Sequence, residues 1–189
     1  MIALSTEYDA AQWLAAGTIM AGAVQAELGE GDTAIATIRR GLGAYGSTGA
    51  HLFVPYFLSL LARACLKTGQ AREGLRVIGE ALEKARATGE LVWEAELVRL
   101  EGELHLAASP HDVAGARDRF CRAIEIARRQ GARSWELRAA SSLARLHIAD
   151  GRRDEARRAV GGVYDSFTEG FDTADLRDAK AFLEASERG

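Results

Sequence analysis

The chain has 189 residues, of which 48% are hydrophobic and 27% are charged, as is usual for a globular domain large enough to bury a core. The formal net charge of −3 gives no global basic field, so nucleic acid is not the expected partner. The longest apolar stretch, residues 52–61, is too short to span a bilayer, and no targeting segment is visible. We therefore expect a cytoplasmic protein without a membrane partner.

The residue types favour helices throughout the chain. Ala, Leu, Glu and Arg dominate, whereas Val, Ile, Thr and the aromatic residues are comparatively sparse, which predicts an all-α fold. Cys65 and Cys121 lie within helical patterns and far apart in the sequence. Both are therefore expected to be reduced thiols in the core.

Four copies of one helical hairpin are predicted from a recurrence of small and bulky residues. The period is 40 residues and stretches to 42 only where residues 108–110 lengthen one turn. A fixed period of this size is typical of stacked helical hairpins. The recurring positions, in order along each copy, are Gly22, Ala62, Gly102 and Ala144, then Ala34, Gly74, Ala116 and Ala156, then Ile38, Ile78, Phe120 and Val160, then Gly41, Ala81, Ala123 and Val163.

The recurrence divides the chain into a short leader, residues 1–8, and a single repeat domain, residues 9–189. In the second repeat we predict helices over 51–67 and 71–87, joined at Gly69, which suits the left-handed position after a helix. Glycines occupy the same position in two other repeats, at Gly29 and Gly151. Glycines also occur where one repeat ends and the next begins, at Gly49, Gly89 and Gly131. The predicted segments are repeats 9–49, 50–89, 90–131 and 132–170, and a capping helix over 172–187.

Two aspartates are predicted to begin helices. Asp112 is the expected N-cap of a helix that replaces the glycine turn of the third repeat. Asp172, with Asp175 three residues later, is expected to open the last helix, whose apolar face covers the end of the array. No equivalent cap is visible at the start, so the chain is interpreted as the end of a longer protein.

Large and small residues inside the predicted helices are interpreted as packing features. Gly22, Gly74 and Gly102 stand where glycine costs up to about 1 kcal/mol relative to alanine, so we expect the helices of a hairpin to approach most closely there. The three tryptophans are expected to pack between repeats rather than to stack on a ligand. They are Trp13, Trp93 and Trp135.

No set of residues predicts catalysis, a cofactor or a metal. Residues 41–46 match the dinucleotide-binding pattern Gly-x-Gly-x-x-Gly, but a helix precedes them and no βαβ unit follows. We therefore interpret these glycines as structural rather than phosphate-binding. No acid, base and nucleophile converge on one another. The histidines form no metal-binding pair at four-residue spacing. They are His51, His105, His111 and His147.

The recurring positions resemble those of the tetratricopeptide repeat, although the period exceeds its standard ~34 residues. Residues 134–140, 142–146 and 163–176, together with 55–58 and 93–97, resemble the C-terminal region of predicted bacterial ATPases. Such proteins often carry an adenylate or guanylate cyclase domain, or a transcriptional-activator domain. The resemblance implies a right-handed superhelical solenoid of about four helical hairpins plus a C-terminal capping helix, serving as a sensor or scaffold in signalling.

The resemblance also implies a binding groove, because the first helix of each tetratricopeptide hairpin lines the concave face. An arginine there could fork onto a peptide carboxylate or a phosphate. These side chains could equally pair with one another across helices, and both interpretations stay open at this point. The groove positions are Tyr56, Ser59 and Arg63, then Glu96, Arg99 and Glu103, then Arg138, Ser141 and Arg145.

We therefore predict a non-catalytic interaction or sensing module whose groove captures a peptide, a partner protein or an effector. Occupancy would pass to an upstream ATPase or cyclase domain. One alternative is a structural module that forms a homodimer through its uncapped first repeat. Another is a nucleic-acid-binding repeat, since residues 111–160 contain twelve arginines against seven acids. A solvated helix face is the simpler interpretation of that charge.

Overall fold

The computed structural model describes residues 2–3 and 10–187, so most of the expected leader, residues 1–8, lies outside the described part. Nine α-helices and one short 3-10 turn lie between residues 10 and 187, and no strand occurs among the described residues, which confirms the all-α prediction. The helices are α1 (Ala11–Glu27), α2 (Gly31–Ser47), α3 (Val54–Lys67), α4 (Ala71–Thr88), α5 (Glu94–Ala108), α6 (Val113–Gln130), α7 (Arg133–Ala149), α8 (Arg153–Tyr164) and α9 (Ala174–Glu187), and the 3-10 turn is Leu91–Trp93.

The helices pair as hairpins within two compact units. The first unit ends at Trp93 and holds hairpins α1–α2 and α3–α4, whereas the second begins at Glu94 and holds α5–α6, α7–α8 and α9. Within each unit the first helices of the two hairpins also touch, α1 with α3 and α5 with α7. Helix α9 packs on α7 and α8 through the buried Leu176 and Ala179, in agreement with the predicted capping helix. The single repeat domain over 9–189 stays a prediction.

The core of each unit is built from the recurring positions, and all sixteen of those residues are buried. The close approach of the two helices explains why small residues recur. A Cβ added at Gly22 would lie 2.7 Å from Ile38 Cγ1, and one added at Gly102 would lie 2.6 Å from Phe120 Cε1. The bulky residue of the second helix therefore lies directly against the small residue of the first, which confirms the packing prediction at both glycines.

Left-handed glycines end the helices where the recurrence predicts them. A positive φ is strongly disfavoured for residues with a Cβ, so each glycine lets the chain reverse direction without strain. The φ angles are 88° at Gly29, 74° at Gly69 and 75° at Gly151 within hairpins, and 74° at Gly49, 76° at Gly89 and 65° at Gly131 between them.

Helix α3 begins three residues later than predicted, at Val54 instead of residue 51. The preceding residue, Phe53, has a φ of 65°, a left-handed conformation that interrupts the helix. Its N–H donates to the two carboxylate oxygens of Glu90, at 3.2 and 3.0 Å. Pro55 stands in the first turn of the helix, where its missing N–H leaves no hydrogen bond unmade.

One predicted N-cap is confirmed and the other is wrong. The Asp112 carboxylate accepts a hydrogen bond from the Gly115 N–H at 3.0 Å at the start of α6. Helix α9 begins only at Ala174, so Asp172 does not cap it. Asp175, in the first turn, accepts a hydrogen bond from Arg138 Nε of α7 at 2.6 Å.

Two further packing predictions are wrong. Both cysteines are free, but only Cys65 is buried, because Cys121 follows a buried phenylalanine and points away from the face that packs. Trp13 is 55% exposed and therefore does not pack between repeats. Trp93 is half-buried and stacks on Tyr56 within the first unit, with ring centroids 4.6 Å apart. No helix in the described part of the chain is long and apolar enough to cross a membrane.

Gly41 and Gly43 lie two residues apart on α2 and form a matched pair for testing the packing. A Cβ at Gly41 would lie 2.6 Å from Ile19 Cγ1 and 2.9 Å from the Ile19 backbone nitrogen. Gly41→Ala is therefore expected to lower the free energy of unfolding by about 1–3 kcal/mol. At Gly43 a Cβ meets no atom within 4 Å. Gly43→Ala should raise that free energy by up to about 1 kcal/mol, because alanine favours the helix. Urea denaturation measures both, and equal changes would contradict the packing argument.

Candidate functional site

The nine predicted groove residues lie on three first helices, three of them each on α3, α5 and α7. The structure brings those of α5 and α7 onto one face of the second unit. There all of them except the half-buried Ser141 join one network of ion pairs and hydrogen bonds. The three residues of α3 belong to the first unit.

Arg99 is the centre of the network in the second unit. Its Nε and Nη2 donate to the two carboxylate oxygens of Glu96 at 2.7 and 2.9 Å, a bidentate geometry that is strong for arginine. Its Nη1 donates to Glu103 at 3.0 Å and to the Ser142 hydroxyl at 3.2 Å. The Arg99 side chain is only 12% exposed. Its guanidinium is therefore engaged inside the protein and does not face a ligand.

Glu103 is the second junction of the network. Its Oε1 accepts hydrogen bonds from the Ser142 hydroxyl at 2.7 Å, from Arg99 at 3.0 Å and from Arg145 Nη2 at 2.6 Å. Arg145 remains exposed, so it closes the network at the surface.

Arg138 connects the network to the last helix. Its Nε donates to Asp175 at 2.6 Å, and its Nη1 lies 3.7 Å from Glu96. Its guanidinium carbon also lies 5.0 Å from the centre of the Trp135 ring, within cation–π distance. The three arginines of the network thus face three carboxylates, and their charges balance.

The network favours the charged forms of Glu103 and Arg99. Burial alone would raise the pKa of Glu103, but the hydrogen bond from Ser142 and the charges of Arg145 and Arg99 outweigh it and hold that pKa below its ordinary value. Burial alone would lower the pKa of Arg99, but the charge and hydrogen bonds of Glu96 and the charge of Glu103 raise it. Of the two interpretations left open by the sequence, these contacts favour the internal ion-pair network in the second unit.

The first unit instead holds an open apolar cleft between α1 and α3, with a volume of about 220 Å³. Val24, on the α1 side, is 57% exposed, and Met20 beside it is also exposed, so an apolar wall faces solvent. We call this feature the α1–α3 cleft. Its apolar lining residues are Met20, Ala23, Val24, Ala26, Tyr56, Leu60 and Ala64.

Exposed charges border the α1–α3 cleft. Glu27 of α1 pairs with Arg63 Nη2 of α3 at 2.8 Å and with the Lys67 ammonium group. Burial would raise the pKa of Glu27, but the hydrogen bond from Lys67 and the charge of Arg63 lower it. Because two cations share one carboxylate, the rim carries one positive charge in excess. Such exposed pairs add little stability, so they are available to exchange partners.

The other two predicted residues of α3 have different surroundings. Ser59 is buried, and its hydroxyl donates to the Tyr56 carbonyl oxygen at 2.6 Å, so it does not line the cleft. The Tyr56 ring does line it, with Trp93 stacked against the ring.

Equivalent positions of the two units differ in chemistry. A shift of 80 residues relates α1 to α5, and a shift of 82 relates α3 to α7, as the recurring positions show. Five polar members of the network then have apolar counterparts in the first unit, whereas the counterpart of Arg145 is also an arginine, Arg63. The counterparts are Ala16 for Glu96, Ile19 for Arg99, Ala23 for Glu103, Tyr56 for Arg138 and Leu60 for Ser142.

The α1 side of the cleft was not predicted from the sequence, because the groove positions were taken only from α3, α5 and α7. A signal was present. Trp13, Met20 and Val24 recur at spacings of seven and four, which places three large apolar residues on one face of α1. All three are exposed.

Other candidate chemistry is explained by packing. Residues 41–46, the apparent dinucleotide pattern, lie inside α2. Among the residues that the structure describes, no three or more His, Cys, Asp or Glu side chains are grouped to hold a metal ion. His147 is buried, with its Nδ1 3.4 Å from the Glu155 carboxylate, and burial together with the charge of Arg152 lowers its pKa.

Arginines in the basic segment 111–160 are engaged in ion pairs. Arg117 and Arg152 each approach Asp150 at 2.7 Å, and Arg128 donates to Glu136 at 2.7 Å. These contacts support the interpretation of a solvated, self-paired helix face over a nucleic-acid surface.

Substituting Arg99 tests whether the network is structural. Arg99→Met leaves the buried Glu96 without its bidentate partner and takes one of three donors from the half-buried Glu103, so we expect the free energy of unfolding to fall by about 3–5 kcal/mol. The matched control is Arg145→Met, which removes an exposed partner of the same network and should cost no more than about 1 kcal/mol. Chemical denaturation measures both, and a small effect of Arg99→Met would contradict the structural role.

The pH dependence of stability tests the environment of Glu103. Because the folded state holds its pKa below the ordinary value of 4.5, the ionised carboxylate stabilises the fold above that pH. This stabilisation is lost as the pH falls through the folded-state pKa. The difference in unfolding free energy between the wild type and Glu103→Gln should therefore be largest at neutral pH and shrink below about pH 4. A difference independent of pH would show that the carboxylate charge is not responsible.

Comparisons with known proteins agree with this geometry. A family model described as tetratricopeptide repeat matches residues 55–80 and 137–161, in hairpins α3–α4 and α7–α8. The crystal structure of nearly identical TPR-like repeats of a Podosopora anserina protein assigned to the kinesin light chains matches with a TM-score of 0.63, covering 91% of this chain and 84% of that chain at 15% identity. An uncharacterized protein of Rhizobium meliloti (strain 1021) is 33% identical over 117 residues. That match covers 62% of this chain and 11% of the relative, so the chain spans only a small part of that relative's length. The chain thus contains tetratricopeptide repeats and has a tetratricopeptide-like helical fold.

Proposed function

We propose that the protein is a non-catalytic interaction module that binds a protein segment in the α1–α3 cleft. The observation that carries this proposal is the exposed apolar wall formed by Met20 and Val24 opposite Tyr56. Large apolar side chains that face solvent around a concave surface are typical of interaction sites. The tetratricopeptide-like fold supports the same class of function.

The chemistry of the cleft defines the segment that fits it. A volume of about 220 Å³ accepts one or two apolar side chains, and burying them supplies most of the binding free energy. The excess positive charge shared by Arg63 and Lys67 favours an acidic group beside that apolar anchor. The expected ligand is thus a segment with an apolar residue next to an acidic one. The nine residues predicted as a groove contribute unequally, with Tyr56 and Arg63 at the cleft.

We further propose that the module works within a larger signalling protein and couples partner binding to an ATPase, cyclase or transcriptional-activator domain. The resemblance to predicted bacterial ATPases supports this. So does the Rhizobium relative, since 117 residues that make up 11% of its length imply roughly a thousand residues in all (117/0.11). The open reading frame that encodes this segment tests the proposal: an adjoining ATPase or cyclase domain supports it, and a stop codon on the upstream side contradicts it.

Two valines of nearly equal exposure provide the test of the cleft. Val24 lines the cleft and is 57% exposed, whereas Val92 lies in the 3-10 turn outside it and is 58% exposed. Peptides selected from a random phage-displayed library on the wild-type chain should lose at least about tenfold in affinity for Val24→Glu, since a carboxylate replaces apolar contact. Val92→Glu should bind them like the wild type.

Fluorescence anisotropy with labelled peptides gives the affinities. The selected sequences should carry an apolar residue beside an acidic one, and Arg63→Gln should weaken them. Equal losses for the two valine variants would place the binding site elsewhere. Concentration-dependent light scattering identifies the homodimer alternative. A dimer that Val24→Glu disrupts would mean that a second copy of the chain, rather than a partner segment, covers the cleft.

A further inference from the structure

The first unit contains a second hollow, bordered by the second helices α2 and α4 and floored by α3. Its volume is about 450 Å³, within the range of small-molecule sites. It shares no lining residue with the α1–α3 cleft. We call it the α2–α4 hollow. Its floor is aliphatic and consists of Leu42, Val54, Leu58, Leu61 and Val77.

Two glycines of α2 keep the hollow open. Gly43 and Gly46 both line it, both are exposed, and a Cβ at either would meet no atom within 4 Å. Glycine inside a helix is destabilising, so it needs a reason. Gly41 on the same helix has one, because Ile19 packs against it. Packing within the first unit supplies no such reason for Gly43 and Gly46.

The second unit carries a pair of charged side chains at the equivalent positions. The shift of 82 residues relates Gly46 to Arg128 and Val54 to Glu136. Arg128 Nε donates to Glu136 Oε1 at 2.7 Å, and the Glu136 side chain is buried. In the first unit both partners of this ion pair are replaced, one by glycine and one by an apolar residue. The α2–α4 hollow is therefore particular to these two hairpins and does not follow from the repeat itself.

The rim of the hollow carries an excess of positive charge. Arg39 and Arg76 both pair with Glu73, at 2.7 and 2.8 Å, while Arg76 and Lys84 approach Glu80 at 3.8 and 3.9 Å. Three cations share two carboxylates, which leaves one positive charge. All three cations are exposed and line the hollow, so they can meet an incoming anion.

We propose that the α2–α4 hollow binds a small amphipathic carboxylate. Its hydrocarbon tail lies on the aliphatic floor, where burial is favourable. Its carboxylate lies at the rim, where arginine and lysine donate charge-assisted hydrogen bonds. The space left by Gly43 and Gly46 admits the tail beside α2. This site is independent of the partner segment proposed for the α1–α3 cleft.

Octanoate is the probe, with 1-octanol as its uncharged counterpart, and isothermal titration calorimetry on the full chain gives the affinities. Gly46→Leu fills the hollow with a side chain and should weaken octanoate binding at least about tenfold. The matched control is Gly79→Leu, because Gly79 is also an open, exposed helix glycine but does not line the hollow. Lys84→Glu should weaken octanoate and leave 1-octanol unchanged.

Any of three results would overturn the proposal. The first is that octanoate does not bind the wild type, the second is that Gly46→Leu and Gly79→Leu bind it equally, and the third is that the wild type does not prefer octanoate to 1-octanol. Circular dichroism checks that the variants fold, and Gly43→Leu serves as a second filling variant if Gly46→Leu does not. A loss of octanoate binding in Val24→Glu, with Gly46→Leu unaffected, would assign the carboxylate to the α1–α3 cleft instead.

Discussion

The contact between a small residue of each first helix and a bulky residue of the second sets the spacing on which the rest of the structure depends. Where Gly22 meets Ile38 and Gly102 meets Phe120, no room remains even for a methyl group. This contact occupies only one face of each helix. The opposite face of the first helix is released from packing within the hairpin, and there the two units have acquired different chemistry on the same backbone frame.

In the second unit that face is covered by a network of ion pairs, and in the first unit it is open and apolar. Burying Arg99 between Glu96 and Glu103 requires desolvation of all three groups, so the network contributes less net stability than its short distances suggest. Its contacts across the helices, from Ser142 and Arg145 of α7 to Glu103 of α5, hold α5 and α7 against each other. The face between α1 and α3 has no such network. Its apolar side chains remain in contact with water, which a binding partner would displace.

The sixteen core positions followed from the sequence because burial of small and bulky residues repeats with the period of the chain. Whether a groove position is exposed or paired inside the protein did not follow from the sequence, because it depends on which side chain of the neighbouring helix lies opposite. Arg99 and Arg63 were both assigned to the groove from the sequence, yet one is enclosed by two carboxylates and the other borders a cleft. The starts of α3 and α9 also differ from prediction for this reason. Glu90 and Arg138 reach helix starts from more than thirty residues away, and local patterns do not report such contacts.

Comparison of equivalent positions separates features of the repeat from features of one hairpin. A helix in a repeat protein can lose a side chain without losing its hairpin contact, because the two lie on different faces. Gly46 and Val54 illustrate this, since they stand where the exposed Arg128 pairs with the buried Glu136 carboxylate in the second unit. Removing only the arginine would take from the buried Glu136 carboxylate one of its two cationic partners, Arg128 and Arg133, which is unfavourable for a buried charge. In the first unit both members are absent, so no carboxylate is left buried there, and the result is an empty place with an aliphatic floor rather than a damaged core.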